Sequence, residues 1–148
     1  VWTIVHAMPE ARNAMDPESA EALYRAFVDF DADERAACAV FWGEGGAFCA
    51  GWDLKHAATL SGADALDAFD FPKAGEPPMA AMGPSRLNLS KPVIAAVAGP
   101  AVAGGWWIPP GKWPNSTAAL RISELSRSRY FGINRRGIDP GPNLPICK

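Results

Sequence analysis

Ser90-Lys91-Pro92-Val93-Ile94-Ala95-Ala96-Val97-Ala98-Gly99-Pro100-Ala101-Val102-Ala103-Gly104-Gly105 is the stretch from which the rest of the chain is read. Val93 to Ala98 form an unbroken apolar run without polar alternation, the pattern of a strand buried on both faces. Gly99-Pro100 breaks it and leads into a small-residue turn. Upstream, Ala36–Trp42 (AACAVFW) is a second short apolar run bounded by glycine, and Val1–Ala7 is a β-rich run ending at Met8-Pro9. Between these two, Asp16-Pro17-Glu18 supplies an N-cap, a proline at the first helical position and an acid in the first turn. Ala20, Leu23, Phe27 and Phe30, with Tyr24 and Ala26 beside them, then recur at three- and four-residue spacing, and Asp31-Ala32-Asp33-Glu34 ends the pattern. The spacing predicts a helix near 17–31 and strands near 1–7, 36–42 and 93–98. Strands alternating with helices give an α/β class built from βαβ units. Residues 9–15 read as a loop, and residues 61–85, rich in Gly, Pro and acids, as a mobile one.

Composition bounds the function. The chain has 148 residues, enough for one domain with a usable core, and with 49% apolar and 20% charged residues it is globular. A formal net charge of -2 leaves neither nucleic acid nor an anionic membrane as an evident partner. No run approaches the roughly 18 apolar residues of a membrane span. Val1-Trp2-Thr3-Ile4-Val5-His6 lacks the order of a signal peptide and reads as a strand entered midway, with residues expected upstream. Cys38, Cys49 and Cys147 are an odd number without CxxC spacing, so no disulfide framework and no metal site is expected, and the cytoplasm is the expected compartment.

The charge total conceals a break. Residues 1–105 carry 7 Lys+Arg against 14 Asp+Glu, and residues 106–148 carry 7 against 2. Alanine falls from 25 to 2 across the same boundary and valine from 7 to none, while the tail holds six prolines. A change this abrupt marks a segment not shaped by the same fold. Residues 106–148 are therefore expected to form a divergent, poorly ordered tail.

Two glycine-containing junctions after strands are the places for chemistry, because ligands of open α/β folds gather beyond the carboxyl ends of the strands. One is Ala50-Gly51-Trp52-Asp53-Leu54, with Asp53 as a plausible N-cap; the other is Ala103-Gly104-Gly105. Each is expected to open a helix, whose unpaired N–H groups and dipole suit an anion or a developing oxyanion. Other constellations are weaker. His6 lies in a strand, no G-x-S-x-G elbow is present, Gly104-Gly105 lacks dinucleotide spacing, and Cys49 is a small residue of the kind commonly buried.

Three segments carry a resemblance. Pro9-Glu10-Ala11-Arg12-Asn13-Ala14-Met15, Ala47-Phe48-Cys49-Ala50-Gly51-Trp52-Asp53-Leu54-Lys55 and Lys91–Gly105 resemble three consecutive motifs of the crotonase (enoyl-CoA hydratase/isomerase) superfamily, in order and at plausible spacing. The resemblance covers residues 1–105, the N-terminal part of such a domain. It implies an incomplete ββα spiral that binds an acyl-CoA thioester, with coenzyme A entering as part of the substrate and no tightly bound cofactor. It further implies that the backbone N–H groups of Trp52 and Gly104 polarise the thioester carbonyl. Ala50, Asp53, Leu54 and Lys55 then lie along the CoA, and Arg12 meets a CoA phosphate. The family usually has a small residue where Trp52 stands.

The departures bear on activity. Hydratases of this family place a glutamate two residues after the second glycine motif, where this chain has Trp107. A second glutamate lies in a region the chain does not reproduce, and Glu44, Asp53 and Glu124 have no motif that assigns them its role. Family members form trimers or hexamers through C-terminal helices that cannot be read here, so such assembly is not expected. Three readings stand: an acyl-CoA enzyme, a non-catalytic acyl-CoA-binding remnant, and a truncated or frame-shifted product without function.

Overall fold

The computed structural model describes residues 1–60, 79–106, 119–120, 129–134 and 137–140. Its centre is a sheet of order β4-β3-β2-β1-β5-β6, formed by β1 (Trp2–His6), β2 (Ala39–Gly43), β3 (Val93–Ala96), β4 (Ala119–Leu120), β5 (Arg129–Asn134) and β6 (Gly137–Pro140). All neighbours run parallel except β5 and β6. Trp2 to His6 are all buried, as a central strand flanked on both sides must be. The parallel β1-α1-β2 crossover is the βαβ unit that the alternating runs predict.

Helix α1 (Pro17–Ala32) starts where the residues dictate. Asp16 caps it by accepting from Ser19 N at 2.8 Å, Ser19 Oγ accepts in return from Asp16 N at 3.0 Å, and Pro17 follows the cap. Its buried face, Leu23, Phe27 and Phe30, packs with Trp2, Ile4, Phe41 and Phe48 in one core. Phe27 meets Phe41 edge-on at 5.5 Å, and Phe41 meets Phe48 at 5.1 Å. Burying side chains of this size stabilises by about 1.5–3 kcal/mol each. The far end of α1 is closed from another part of the chain: Lys91 Nζ donates to the carbonyls of Asp31 and Asp33, each at 2.8 Å, and of Phe30 at 3.3 Å. These are the carbonyls a helix leaves unpaired, so the cap fixes the start of β3 against α1.

Boundaries differ from expectation for local reasons. β2 starts at Ala39 rather than Ala36, because Ala36 N donates to Asp33 O at 2.8 Å and spends those residues on a turn. β3 ends at Ala96, so Val97 and Ala98 leave the ladder ahead of Gly99, whose φ is +69. The first loop is not irregular throughout, since Pro9–Ala11 is a 3-10 turn. The loop expected over 61–85 lies outside the described residues up to 78. Beyond that point Ala80 and Gly83 exchange backbone bonds and Pro84–Arg86 forms a 3-10 turn. Within the tail, 119–120, 129–134 and 137–140 join the same sheet.

His6 ends β1 with no exposed surface, and among the described residues neither ring nitrogen has a hydrogen-bond partner. Burial lowers its pKa from 6.5 to about 4, outweighing the attraction of Asp16 and Glu10. A depressed pKa means the neutral ring's contribution is complete above pH 6.5 and lost as pH falls towards 4. Between pH 7.5 and 4.5 this one group is expected to remove on the order of 2–3 kcal/mol of stability. Urea midpoints at the two pH values check it, with His6→Leu expected to flatten the dependence.

Candidate active site

Three loops beyond the carboxyl ends of β1, β2 and β3 lie side by side. In the first, Arg12 and Asn13 both take the left-handed conformation, with φ of +50 and +54. Asparagine tolerates that region better than most residues, and here it is also buried and bonded. Asn13 Oδ1 accepts from Met8 N at 2.7 Å, and its Nδ2 donates to the carbonyls of Glu44 and Ala47, both at 2.7 Å. Asn13 thereby staples the first loop to the second. Arg12 itself is exposed, and its carbonyl accepts from Ala50 N at 3.1 Å.

The middle loop is held from both sides. Towards the first loop, Met15 N donates to Gly51 O at 2.7 Å and Asp53 N donates to Met15 O at 2.8 Å, a parallel bridge between Met15 and Trp52. Towards the third loop, Phe48 N donates to Pro100 O at 2.9 Å and Val102 N to Cys49 O at 3.0 Å, a parallel bridge between Cys49 and Ala101. The bonds of this bridge are made by Gly51 O and Asp53 N, so the N–H of Trp52 itself is not among those spent on Met15.

The two glycine junctions meet there. Gly51 has φ +86, and a Cβ on it would stand 3.0 Å from Ala103 Cβ and 3.5 Å from Gly104 N. Trp52 N is three backbone bonds from that position, which limits the separation of the two amide nitrogens to about 7 Å. One oxygen accepting from both at about 2.7–3.1 Å needs roughly 6 Å or less. Gly105 packs as closely, since a Cβ there would approach Cys49 O to 2.7 Å. Glycine at both 51 and 105 is a condition of this contact.

The first junction opens a helix capped by Asp53, as expected, and the second opens on a 3-10 turn beyond which the residues are not described. α2 (Leu54–Ala57) is a single turn, and Ala103–Trp106 is a 3-10 turn. A macrodipole from one turn is small, so any pull on an anion comes from the individual N–H groups. Asp53 does cap α2, its Oδ1 accepting from Lys55 N at 2.8 Å and His56 N at 3.4 Å. Leu54 and Lys55 are exposed beside it and Ala50 is half-buried. Trp52 is partly buried against the core, its indole meeting the His56 ring edge-on at 6.0 Å. Cys49 is buried and its pKa is raised to about 11 by that burial, a shift that the bond from Gly51 N at 3.3 Å only partly offsets. A thiol so protonated is no nucleophile.

Sequence reading thus points to both junctions, but it assigns no role to Asn13, His56 or Met82. Asn13 carries the one usable signal, an asparagine in a turn. His56 and Met82 belong to no pattern; only the fold brings them to the junctions. Trp107 and Glu124 lie outside the described residues.

No group of three or more His, Cys, Asp and Glu among the described residues could hold a metal ion, and no described helix is long and apolar enough to cross a membrane. The family model for enoyl-CoA hydratase/isomerase matches residues 1–108. The chain is 37% identical over 132 residues to the enoyl-CoA hydratase EchA19 of Mycobacterium tuberculosis, covering 82% of this chain and 46% of that protein. It is 36% identical over 107 residues to the carnitinyl-CoA dehydratase of Proteus mirabilis, covering 72% and 38%. Among solved structures, the carnitinyl-CoA hydratase from Mycobacterium avium superposes with a TM-score of 0.57 at 30% identity, covering 72% of this chain and 38% of the other. A probable enoyl-CoA hydratase/isomerase from Mycobacterium abscessus gives 0.56 at 32%, covering 72% and 37%. The chain spans less than half the length of these relatives. With the interlocked glycine junctions, the partial parallel sheet and these matches in agreement, the chain belongs to the enoyl-CoA hydratase/isomerase family.

Proposed function

We propose that the chain binds an acyl-CoA thioester across the two glycine junctions and polarises its carbonyl with the backbone N–H groups of Trp52 and Gly104. The observation that carries this is the contact between the junctions, in which the site of a Cβ on Gly51 lies 3.5 Å from Gly104 N. Two donors converging on one oxygen stabilise developing negative charge, and loss of one such donor typically costs about 2.7–4 kcal/mol in the transition state. The relatives named as acting on enoyl- and carnitinyl-CoA support the substrate class. Ala50, Asp53, Leu54 and Lys55 flank the CoA on this reading, and exposed Arg12 meets a phosphate. Residues 1–105 form the binding part and 106–148 a divergent tail; coenzyme A arrives with the substrate, without a resident cofactor, in the cytoplasm.

A second reading, binding without hydratase turnover, is favoured by the titratable groups at the junctions. Asp53 is engaged as a helix cap, the Cys49 thiol is held protonated, and the His56 ring lies against Trp52. General acid–base catalysis needs a group free to reach the substrate. Calorimetric titration with butyryl-CoA, which cannot be hydrated, tests the shared core of both readings. Saturable binding, tighter than that of free CoA, is the expected result; no binding to the folded chain rejects both.

A further inference from the structure

Gly104 has no Cβ, and the room this leaves is filled by Met82. A Cβ built on Gly104 would lie 2.9 Å from both Sδ and Cε of Met82 and 3.1 Å from its Cγ. The thioether therefore lies directly over the residue whose N–H is the second donor of the proposed site. It is delivered there by a hydrogen-bonded turn packed on α1. Ala80 and Gly83 exchange two backbone bonds, at 3.1 and 2.8 Å. Gly83 has φ +65 and abuts α1, where a Cβ would come within 2.5 Å of Ala20 O. Pro84 and Leu87 behind it are buried. Met82 is itself half-buried, packed on one side against the core and open on the other.

We propose that Met82 sets the acyl specificity of this site, excluding substrates branched at the carbon next to the thioester; this rests on the acyl-CoA reading above. A carbonyl oxygen accepting from Gly104 N–H stands about 2.9 Å from that nitrogen. Its carbonyl carbon and the following acyl carbon lie only two bonds further, within contact distance of a side chain that touches Gly104 Cα. The first carbons of an acyl chain thus run past this thioether, which favours a straight chain there. A pocket of this kind discriminates one methyl group by about 10–200-fold.

The test compares butyryl-CoA with 2-methylbutyryl-CoA by calorimetry. The unaltered chain is expected to bind the straight ester at least about tenfold more tightly. Met82→Ala opens the space of three heavy atoms and is expected to bring that ratio close to one, mainly by tightening the branched ester. Met82→Leu, of similar volume, is expected to keep the ratio within about threefold of the unaltered chain. Should Met82→Ala not fold, as judged by its far-ultraviolet circular dichroism, Met82→Val reads the same ratio with a smaller shift. A ratio unchanged in a folded Met82→Ala or Met82→Val variant overturns the assignment to Met82 alone. If the unaltered chain binds neither ester, the acyl-CoA reading falls and this assignment with it.

Discussion

Gly99→Ala is expected to destabilise the fold by about 4 kcal/mol or more, at the extreme end for a single substitution. Gly99 lies between β3 and the second junction at φ +69, and a Cβ there would fall far inside van der Waals contact distance of Gly46 O and 3.0 Å from Gly46 C. Those are backbone atoms of the loop after β2, a segment that Asn13 Nδ2 also holds through Glu44 O and Ala47 O. Neither side can yield without moving a strand end. Gly46→Ala is the control, because Gly46 also has a positive φ, +84, yet nothing lies within 4 Å of its Cβ position. That variant incurs only the left-handed strain, about 1–2 kcal/mol. Urea midpoints of the two variants separate the contributions, and equal losses would show that the contact at Gly99 matters less than its geometry indicates. Against a total stability of about 5–15 kcal/mol, the Gly99 variant is expected to populate unfolded chain at modest urea.

Hydration of crotonyl-CoA is expected to be 10²–10⁴-fold slower than an ordinary enzyme's kcat of about 1–10³ s⁻¹, even where acyl-CoA binds. Polarising the thioester stabilises an enolate-like transition state, but hydration also needs water deprotonated and a proton delivered. The resemblance to hydratases puts Trp107 at the position of one glutamate, and an indole transfers no proton at neutral pH. Two titratable side chains of the first junction are committed elsewhere: Asp53 accepts from Lys55 N and His56 N, and Cys49 is pushed up to about 11. Steady-state kinetics with purified protein decide the point. A kcat in the ordinary range means that a catalytic acid lies in a part of the chain without a recognisable motif.

What could be read from the sequence follows from how local each signal is. The start of α1 is written in Asp16-Pro17-Glu18, where capping and proline geometry act within one turn, and the helix begins at Pro17. Continuous apolar runs mark β2 and β3 and a β-rich run marks β1, because strands of a covered parallel sheet need no polar face. The start of β2 was set instead by the bond from Ala36 N to Asp33 O, a turn that an apolar run does not disclose. The junctions are legible as glycine motifs, whereas the contact between them is a product of the sheet order. Asn13 is visible only as a turn residue, and its three partners, Met8, Glu44 and Ala47, come from two different loops. Met82 was beyond reach of any pattern, since its contact with Gly104 depends on how the 80–83 turn docks on α1. Asp53 marks where the helix at the first junction starts, whereas its single-turn length is not written there, because a cap residue says nothing of how far a helix runs.

The most direct measurement is a nitrogen–proton correlation spectrum of the isotopically labelled chain, titrated with butyryl-CoA and, separately, with free CoA. The thioester carbonyl is absent from free CoA, so a hydrogen bond to it must appear only with the ester. The amide protons of Trp52 and Gly104 are expected to shift downfield together on adding butyryl-CoA and to stay in place with CoA, while the amides of residues 53–55 respond to both. Shifts confined to other residues, or equal shifts of Trp52 and Gly104 with both ligands, would contradict a carbonyl held between these two amides.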